Sequence, residues 1–183
     1  KKIAILGSTG SIGKTLIDII NKDKKKFKIL LLSAYKNHKS LLLQAKKFAV
    51  KNLIIIDIKS FKILKKKSKK LNINVFNNYE EFNKIFARKK IDYVMSSITG
   101  LDGLEPTIKI IKHTKKIAIA NKESIICGWN LIQNEITKHK TKFIPVDSEH
   151  FSLWFGLKGL NPISVEKFIL TASGGPLYKT PLS

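Results

Sequence analysis

Short apolar runs alternate with stretches whose apolar residues recur every three to four positions, and the alternation holds from Lys2 to about Val146. The runs Lys2–Leu6, 27–32, 53–56, Asn74–Phe76, 92–95, 117–120 and 142–146 have strand length and little inner polar alternation. That pattern marks strands covered on both faces. The first helix follows Gly13, with Ile12, Leu16, Ile19 and Ile20 expected on its buried face, and further helices are predicted over 38–49, 60–70, 80–87, 104–112 and 122–138. Parallel strands joined by helices need right-handed crossovers, so the expected fold is α/β, a doubly wound, mostly parallel, Rossmann-like sheet. No internal repeat or long linker interrupts it. After Val146 the pattern changes, and 168–171 reads as the first strand of another unit. The expected division is a nucleotide-binding domain over 1–146 and the start of a second, α+β domain over 147–183.

In such sheets ligands bind at the carboxyl ends of the strands. The first of these ends is Gly7-Ser8-Thr9-Gly10-Ser11-Ile12-Gly13, between a strand and a helix. Gly7 suits a sharp turn, Gly10 lets the main chain approach a pyrophosphate, and Gly13 lets the helix pack against the strand. The free N–H groups and dipole at the helix start attract the anion. The spacing is GxxGxxG rather than GxGxxG, and a turn that only joins two elements is the competing reading. The second strand is followed by Ser33-Ala34-Tyr35-Lys36-Asn37-His38, with no carboxylate to hold a ribose 2′-hydroxyl. Lys36, with His38 nearby, would instead attract a 2′-phosphate, so NADPH is favoured over NADH. A solvated loop lysine is the alternative in a chain this rich in lysine.

Charge changes the picture less than its size suggests. The formal net charge is +22, yet of 35 basic residues only Arg88 is an arginine, and the lysines spread along the whole chain. Nucleic-acid readers favour arginine forks and interleaved aromatics, whereas the run 65–70 reads as the solvated face of a helix beside Phe61 and Leu64. A biased, AT-rich coding composition explains this better than a nucleic-acid module, and the field would speed the arrival of anionic substrates. The single cysteine, Cys127, permits no internal disulfide, fits a reducing compartment, and is expected as a small core residue. No apolar stretch is long enough to span a membrane. The start at Lys1, directly before a strand, suggests that the true N-terminus lies upstream. At 183 residues the chain can bury roughly 70% of its unfolded surface, enough for one good core and part of another.

Three further strand ends carry candidate chemistry. In Asp147-Ser148-Glu149-His150 the carboxylates at i and i+2 can converge on one hard cation such as Mg²⁺ or Mn²⁺. They can equally cap and charge the helix that starts near His150. In Asn121-Lys122-Glu123-Ser124 the lysine can reach into an anionic site, or Asn121 can cap the next helix. Thr171-Ala172-Ser173-Gly174-Gly175-Pro176 can offer N–H groups and a hydroxyl to a phosphate, or form a plain turn.

Taken together, ILGSTGSIG, SAYKN, ANKES, PVDSEH and TASGGP, in this order, make the chain resemble the 1-deoxy-D-xylulose 5-phosphate reductoisomerase family over its whole length. The resemblance implies that Thr9, Gly10, Ser11 and Ile12 hold the NADPH pyrophosphate and its neighbours. Lys36, Asn37 and the backbone at Tyr35 would meet the 2′-phosphate side, although the family often has glycine at that tyrosine. Asn121 and Glu123 would contact the cofactor. Lys122, Ser148 and Ser173 would bind the sugar phosphate substrate, and Asp147 and Glu149 would be metal ligands, with Lys122 beside them in the catalytic set. The implied reaction is metal-assisted isomerisation followed by reduction by NADPH, in the non-mevalonate isoprenoid (MEP) pathway. A metal-independent NADP-dependent dehydrogenase of a small aldehyde or phosphate is the alternative. The family is about twice as long, so a third metal carboxylate, a lid and a helical C-terminal domain are expected beyond Ser183, and this segment alone is expected to be inactive. A homodimer is implied, in a plastid-type organelle such as the apicoplast for a eukaryotic gene and in the cytoplasm for a bacterial one.

Overall fold

The computed structural model describes residues 1–87 and 90–169. They divide into two compact units, Lys1–Ile144 and Pro145–Ser183. The first carries strands β1 (Lys2–Leu6), β2 (Lys28–Ala34), β3 (Asn52–Ile55), β4 (Asn74–Phe76), β5 (Tyr93–Ser96), β6 (Lys116–Ile119) and β7 (Lys142–Pro145). Helices α1 (Ser11–Lys22), α2 (His38–Lys47), α3 (Ile58–Ser68), α4 (Phe82–Ile85), α5 (Leu104–Ile111) and α6 (Lys122–His139) connect them. The described part of the second unit holds α7 (Ser148–Gly156) and a short 3₁₀ turn, Pro162–Ser164.

The strands lie in the order β4-β3-β2-β1-β5-β6-β7, and every pair from β4 to β6 is parallel. Chain order therefore runs outward in both directions from β1. At that reversal the connections leave to opposite faces, and a crevice opens between the carboxyl ends of β1 and β5. Ala4, Ile5 and Leu6 of β1, Leu31 and Leu32 of β2, and Leu53 to Ile55 of β3 are fully buried, as their unbroken apolar runs require. At the opposite edge Asp92 accepts from the Lys2 N–H (2.8 Å) and the Lys115 ammonium (2.9 Å), joining the starts of β1, β5 and β6. The Lys115 and Lys2 donors hold its carboxyl down at about 2.

Several boundaries differ from the sequence pattern, each for a local reason. β2 continues through Ser33 and Ala34 because they pair with Ile54 and Ile55 of β3, and the glycine turn adds two bonds to Ser33: Ser33 O accepts from the Ser8 N–H (2.8 Å) and Ser33 Oγ from the Gly7 N–H (3.1 Å). α3 starts at Ile58, two residues early, because Asp57 caps it through the Ser60 N–H (2.7 Å). Only the turn Phe82–Ile85 of the expected helix 80–87 forms, anchored by buried Phe82 and Phe86. The buried stripe of α1 is Gly13, Ile17 and Ile20, and Ile12 and Ile19 face outward instead. Cys127 is exposed rather than in the core, since α6 buries Ser124, Gly128 and Ile132 at fourfold spacing and Cys127 lies off that line. The lysines of α3 are exposed while Leu64 and Ser68 turn inward, as the solvated-face reading requires. Phe168 and Ile169 are irregular, and the rest of the expected strand 168–171 lies outside the described residues.

Candidate functional site

The crevice at the β1–β5 reversal is a groove of about 970 Å³. Gly7, Thr9 and Gly10 line it from the β1–α1 turn, and Tyr35, Lys36 and Asn37 from the end of β2. Asn77 to Glu80 follow β4, Ser97 to Thr99 follow β5, and Asp102, Glu105 and Lys109 come from the α5 side. Six of the ten expected cofactor residues thus share one cavity: Gly7, Thr9, Gly10, Tyr35, Lys36 and Asn37.

The turn is built by glycine at two positions. Gly7 has φ +78°, a conformation that L side chains rarely adopt, and a Cβ there would lie 2.6 Å from the Ser97 carbonyl oxygen. A Cβ on Gly13 would run into the Gly7 carbonyl and lie 2.6 Å from Ser8 Cα, so only glycine lets α1 sit this close to β1. The turn is then clamped from behind. Ser8 Oγ donates to Gln44 Oε1 (2.8 Å) and Gln44 Nε2 donates back to Ser8 O (2.9 Å), both inside the protein. Gln44 lies on α2, so the helix that follows the Lys36 turn also fixes the glycine turn. Ser11 and Ile12 occupy the first turn of α1, exposed, where the N–H groups of a helix start point outward.

Tyr35 is 65% exposed, and its carbonyl accepts from the Asp57 N–H (2.9 Å). Asn37 caps α2, its Oδ1 accepting from the Ser40 N–H (3.1 Å). Across the groove burial pushes the Tyr79 phenol up to about 12, and Asp102 and Glu105 push the same way against a Ser33 hydrogen bond, so the phenol stays neutral at any working pH. Lys109 pairs with both Glu80 and Glu105 and offsets part of the negative charge that they and Asp102 give this wall.

Asn121 does cap α6, with Oδ1 accepting from the Ser124 N–H (3.0 Å). Its Nδ2 donates to the carbonyls of Ile98 (2.5 Å) and Gly100 (2.6 Å), binding the β5 loop to the helix start. Its buried side chain has no donor left for a ligand. Lys122 and Glu123 stand exposed in the first turn of α6.

In the second unit, Asp147 caps α7. Oδ1 accepts from the His150 N–H (2.8 Å) and contacts His150 Nδ1 (2.6 Å). Burial pushes this carboxyl up, but the His150 bonds outweigh it and leave it below the usual range. Glu149 follows in the first turn of the helix. Carboxylate oxygens at 147 and 149 suit a hard divalent ion in kind. Among the described residues, though, no three His, Cys, Asp or Glu side chains gather as a metal site. Ser173 lies outside the described residues.

Sequence reasoning missed Gln44, Asp57 with Ser60, and the wall Asn77–Tyr79. The Asp-x-x-Ser capping pattern at 57–60 was the one signal available for them.

A parallel sheet that reverses at β1, with a glycine-built helix start at that point, defines the doubly wound α/β class, in which ligands bind at such a crevice. The chain belongs to the 1-deoxy-D-xylulose 5-phosphate reductoisomerase family: that family's model matches residues 3–128, and the model of its C-terminal domain matches 143–183. It is 58% identical over 183 residues to the 1-deoxy-D-xylulose 5-phosphate reductoisomerase of Pelagibacter ubique, covering 100% of this chain and 47% of that protein. The Clostridium acetobutylicum protein is 39% identical over 178 residues, covering 96% and 46%. The chain therefore spans about half the length of the curated relatives it matches. Among solved structures, the Zymomonas mobilis reductoisomerase in complex with NADPH superposes with TM-score 0.74 at 31% identity, over 82% of this chain and 39% of that one. A reductoisomerase in complex with NADPH, fosmidomycin and magnesium gives 0.75 at 29%, over 82% and 37%. No helix among the described residues is long and apolar enough to cross a membrane.

Proposed function

We propose that the protein carrying this chain converts 1-deoxy-D-xylulose 5-phosphate to 2-C-methyl-D-erythritol 4-phosphate with NADPH and a divalent metal ion. The observation that supports this most is the groove at the β1–β5 reversal, where the glycine turn and the lysine turn stand together in a chain of this family.

Thr9, Gly10, Ser11 and Ile12 would receive the pyrophosphate at the start of α1, where N–H groups and the helix dipole favour an anion. Lys36 and Asn37 would face the 2′-phosphate. The Asn121 side chain is spent on Ile98 and Gly100, so its share in binding is to hold the β5 loop against the groove. Glu123, in the first turn of α6, is the remaining candidate for a cofactor contact. Lys122 would bring a positive charge to the substrate, joined by Ser148 and Ser173. Asp147 and Glu149 would hold Mg²⁺ or Mn²⁺, with Asp147 Oδ1 the oxygen that accepts the α7 cap. When bound, NADPH supplies a hydride and the metal ion a Lewis acid at the substrate oxygens. A homodimer rests on family resemblance alone, and the bacterial relatives favour the cytoplasm over a plastid-type organelle.

The test is NADPH oxidation, followed at 340 nm, by the full-length protein with 1-deoxy-D-xylulose 5-phosphate. Turnover that stops with EDTA and returns with Mn²⁺ is expected. Metal-independent turnover would instead favour a simple NADP-dependent dehydrogenase.

A further inference from the structure

We infer that Ser60, at the start of α3, is a positioning residue that sets the preference for NADPH over NADH by aiming the Lys36–Asn37 turn. The inference rests on the proposed nucleotide site and adds a residue that does not line the groove.

Two consecutive carbonyls of the turn are held from the α3 side. Tyr35 O accepts from the N–H groups of Ile56 (3.2 Å) and Asp57 (2.9 Å). Lys36 O accepts from Ser60 Oγ (2.8 Å) as well as from the His38 N–H (2.8 Å). In a planar trans peptide the N–H of the next residue points opposite the carbonyl. Pulling the Tyr35 and Lys36 carbonyls toward α3 therefore turns the Lys36 and Asn37 N–H groups away from it. Successive N–H groups presented in this way form an anion-binding concavity, and the lysine side chain adds a full charge beside it.

Ser60 is itself fixed. It is only 7% exposed, and its N–H is held by the Asp57 carboxylate at 2.7 Å. Its hydroxyl reaches back 24 residues and adds a long-range bond to a turn that local sequence closes only through the His38 N–H. The pyrophosphate turn takes its support from Ser33 and Gln44 instead. Loss of the Ser60 hydroxyl should then affect the 2′-phosphate and spare everything NADH shares with NADPH.

The experiment titrates NADPH and NADH into the full-length protein, wild type and two variants, with thermal unfolding as the folding control. Ser60→Ala is expected to lower NADPH affinity about fivefold, the worth of one net hydrogen bond, and to leave NADH affinity unchanged. Ser60→Thr, which restores a hydroxyl, is expected to recover the preference. An unchanged NADPH/NADH ratio in Ser60→Ala, or an equal loss for both nucleotides, overturns the inference while the nucleotide site stands. Failure of the wild type to bind NADPH overturns the site itself. As a readout independent of any variant, adenosine 2′-monophosphate is expected to shift the Lys36 and Asn37 amide resonances of the wild type, and adenosine 5′-monophosphate to leave them in place. Shifts that are absent, or equal with both, refute the aiming of this turn.

Discussion

Gly10 and Gly13 lie one helical turn apart and meet different demands. A Cβ on Gly10 has space, its nearest neighbour being the Gly7 carbonyl at 3.4 Å. A Cβ on Gly13 overlaps backbone that cannot step aside. Gly10→Ala is therefore expected to unfold within about 1 kcal/mol of wild type yet lose NADPH affinity at least tenfold, because the methyl occupies the place of the pyrophosphate. Gly13→Ala is expected to cost about 2–4 kcal/mol, as overpacking against rigid backbone does. Thermal unfolding and nucleotide titration of the two variants separate these roles. The glycine spacing made both positions legible in the sequence. Gln44 was not legible, because a glutamine on an amphipathic helix looks like a surface residue until the fold brings it against Ser8. Ser60 escaped notice for the same reason: its partner is distant in sequence.

At the scale of the element, helix starts hold the groove together. Asn121 closes three bonds, one within α6 and two to the β5 loop. Asn121→Asp keeps the cap but removes both N–H donors and sets a carboxylate against two carbonyls. It is expected to cost about 2–3 kcal/mol in urea unfolding, whereas a loss within about 0.5 kcal/mol would mean that the loop holds itself. Apolar runs located the inner strands to within a residue or two, since strands buried on both faces leave little else to choose. They failed where polar residues go inside: Ser33 read as loop because its partners, the Gly7 and Ser8 N–H groups, belong to another turn. The capping reading of Asp147 and the metal reading were both open from spacing, and the cap is what the fold displays, on one carboxylate oxygen.

For the whole molecule the charge of +22 spreads over exposed lysines, and a titrating group that bears on stability is His113. Burial, with Lys112, His139 and Lys90 nearby, pushes its imidazole from 6.5 down to about 4. Its buried Nε2 has no partner among the described residues, and its ring packs on Phe86 at 5.7 Å. A base whose folded value is depressed contributes stability that is complete above 6.5 and is lost as pH falls from 6.5 toward about 4. For a half-buried ring the loss is on the order of 1–2 kcal/mol after solvent screening. His113→Leu is expected to match wild type near pH 7 and to flatten the slope between pH 6.5 and 4 in urea midpoints. An unchanged slope would assign the acid sensitivity to the carboxylates.

The sharpest measurement is a crystal structure of the full-length protein with NADPH. It should place the pyrophosphate over the N–H groups at Gly10 to Ile12 and the 2′-phosphate within hydrogen-bonding distance of Lys36 and the Asn37 N–H. Clear density for the nucleotide elsewhere, or its 2′-phosphate turned to solvent away from that turn, would contradict the account.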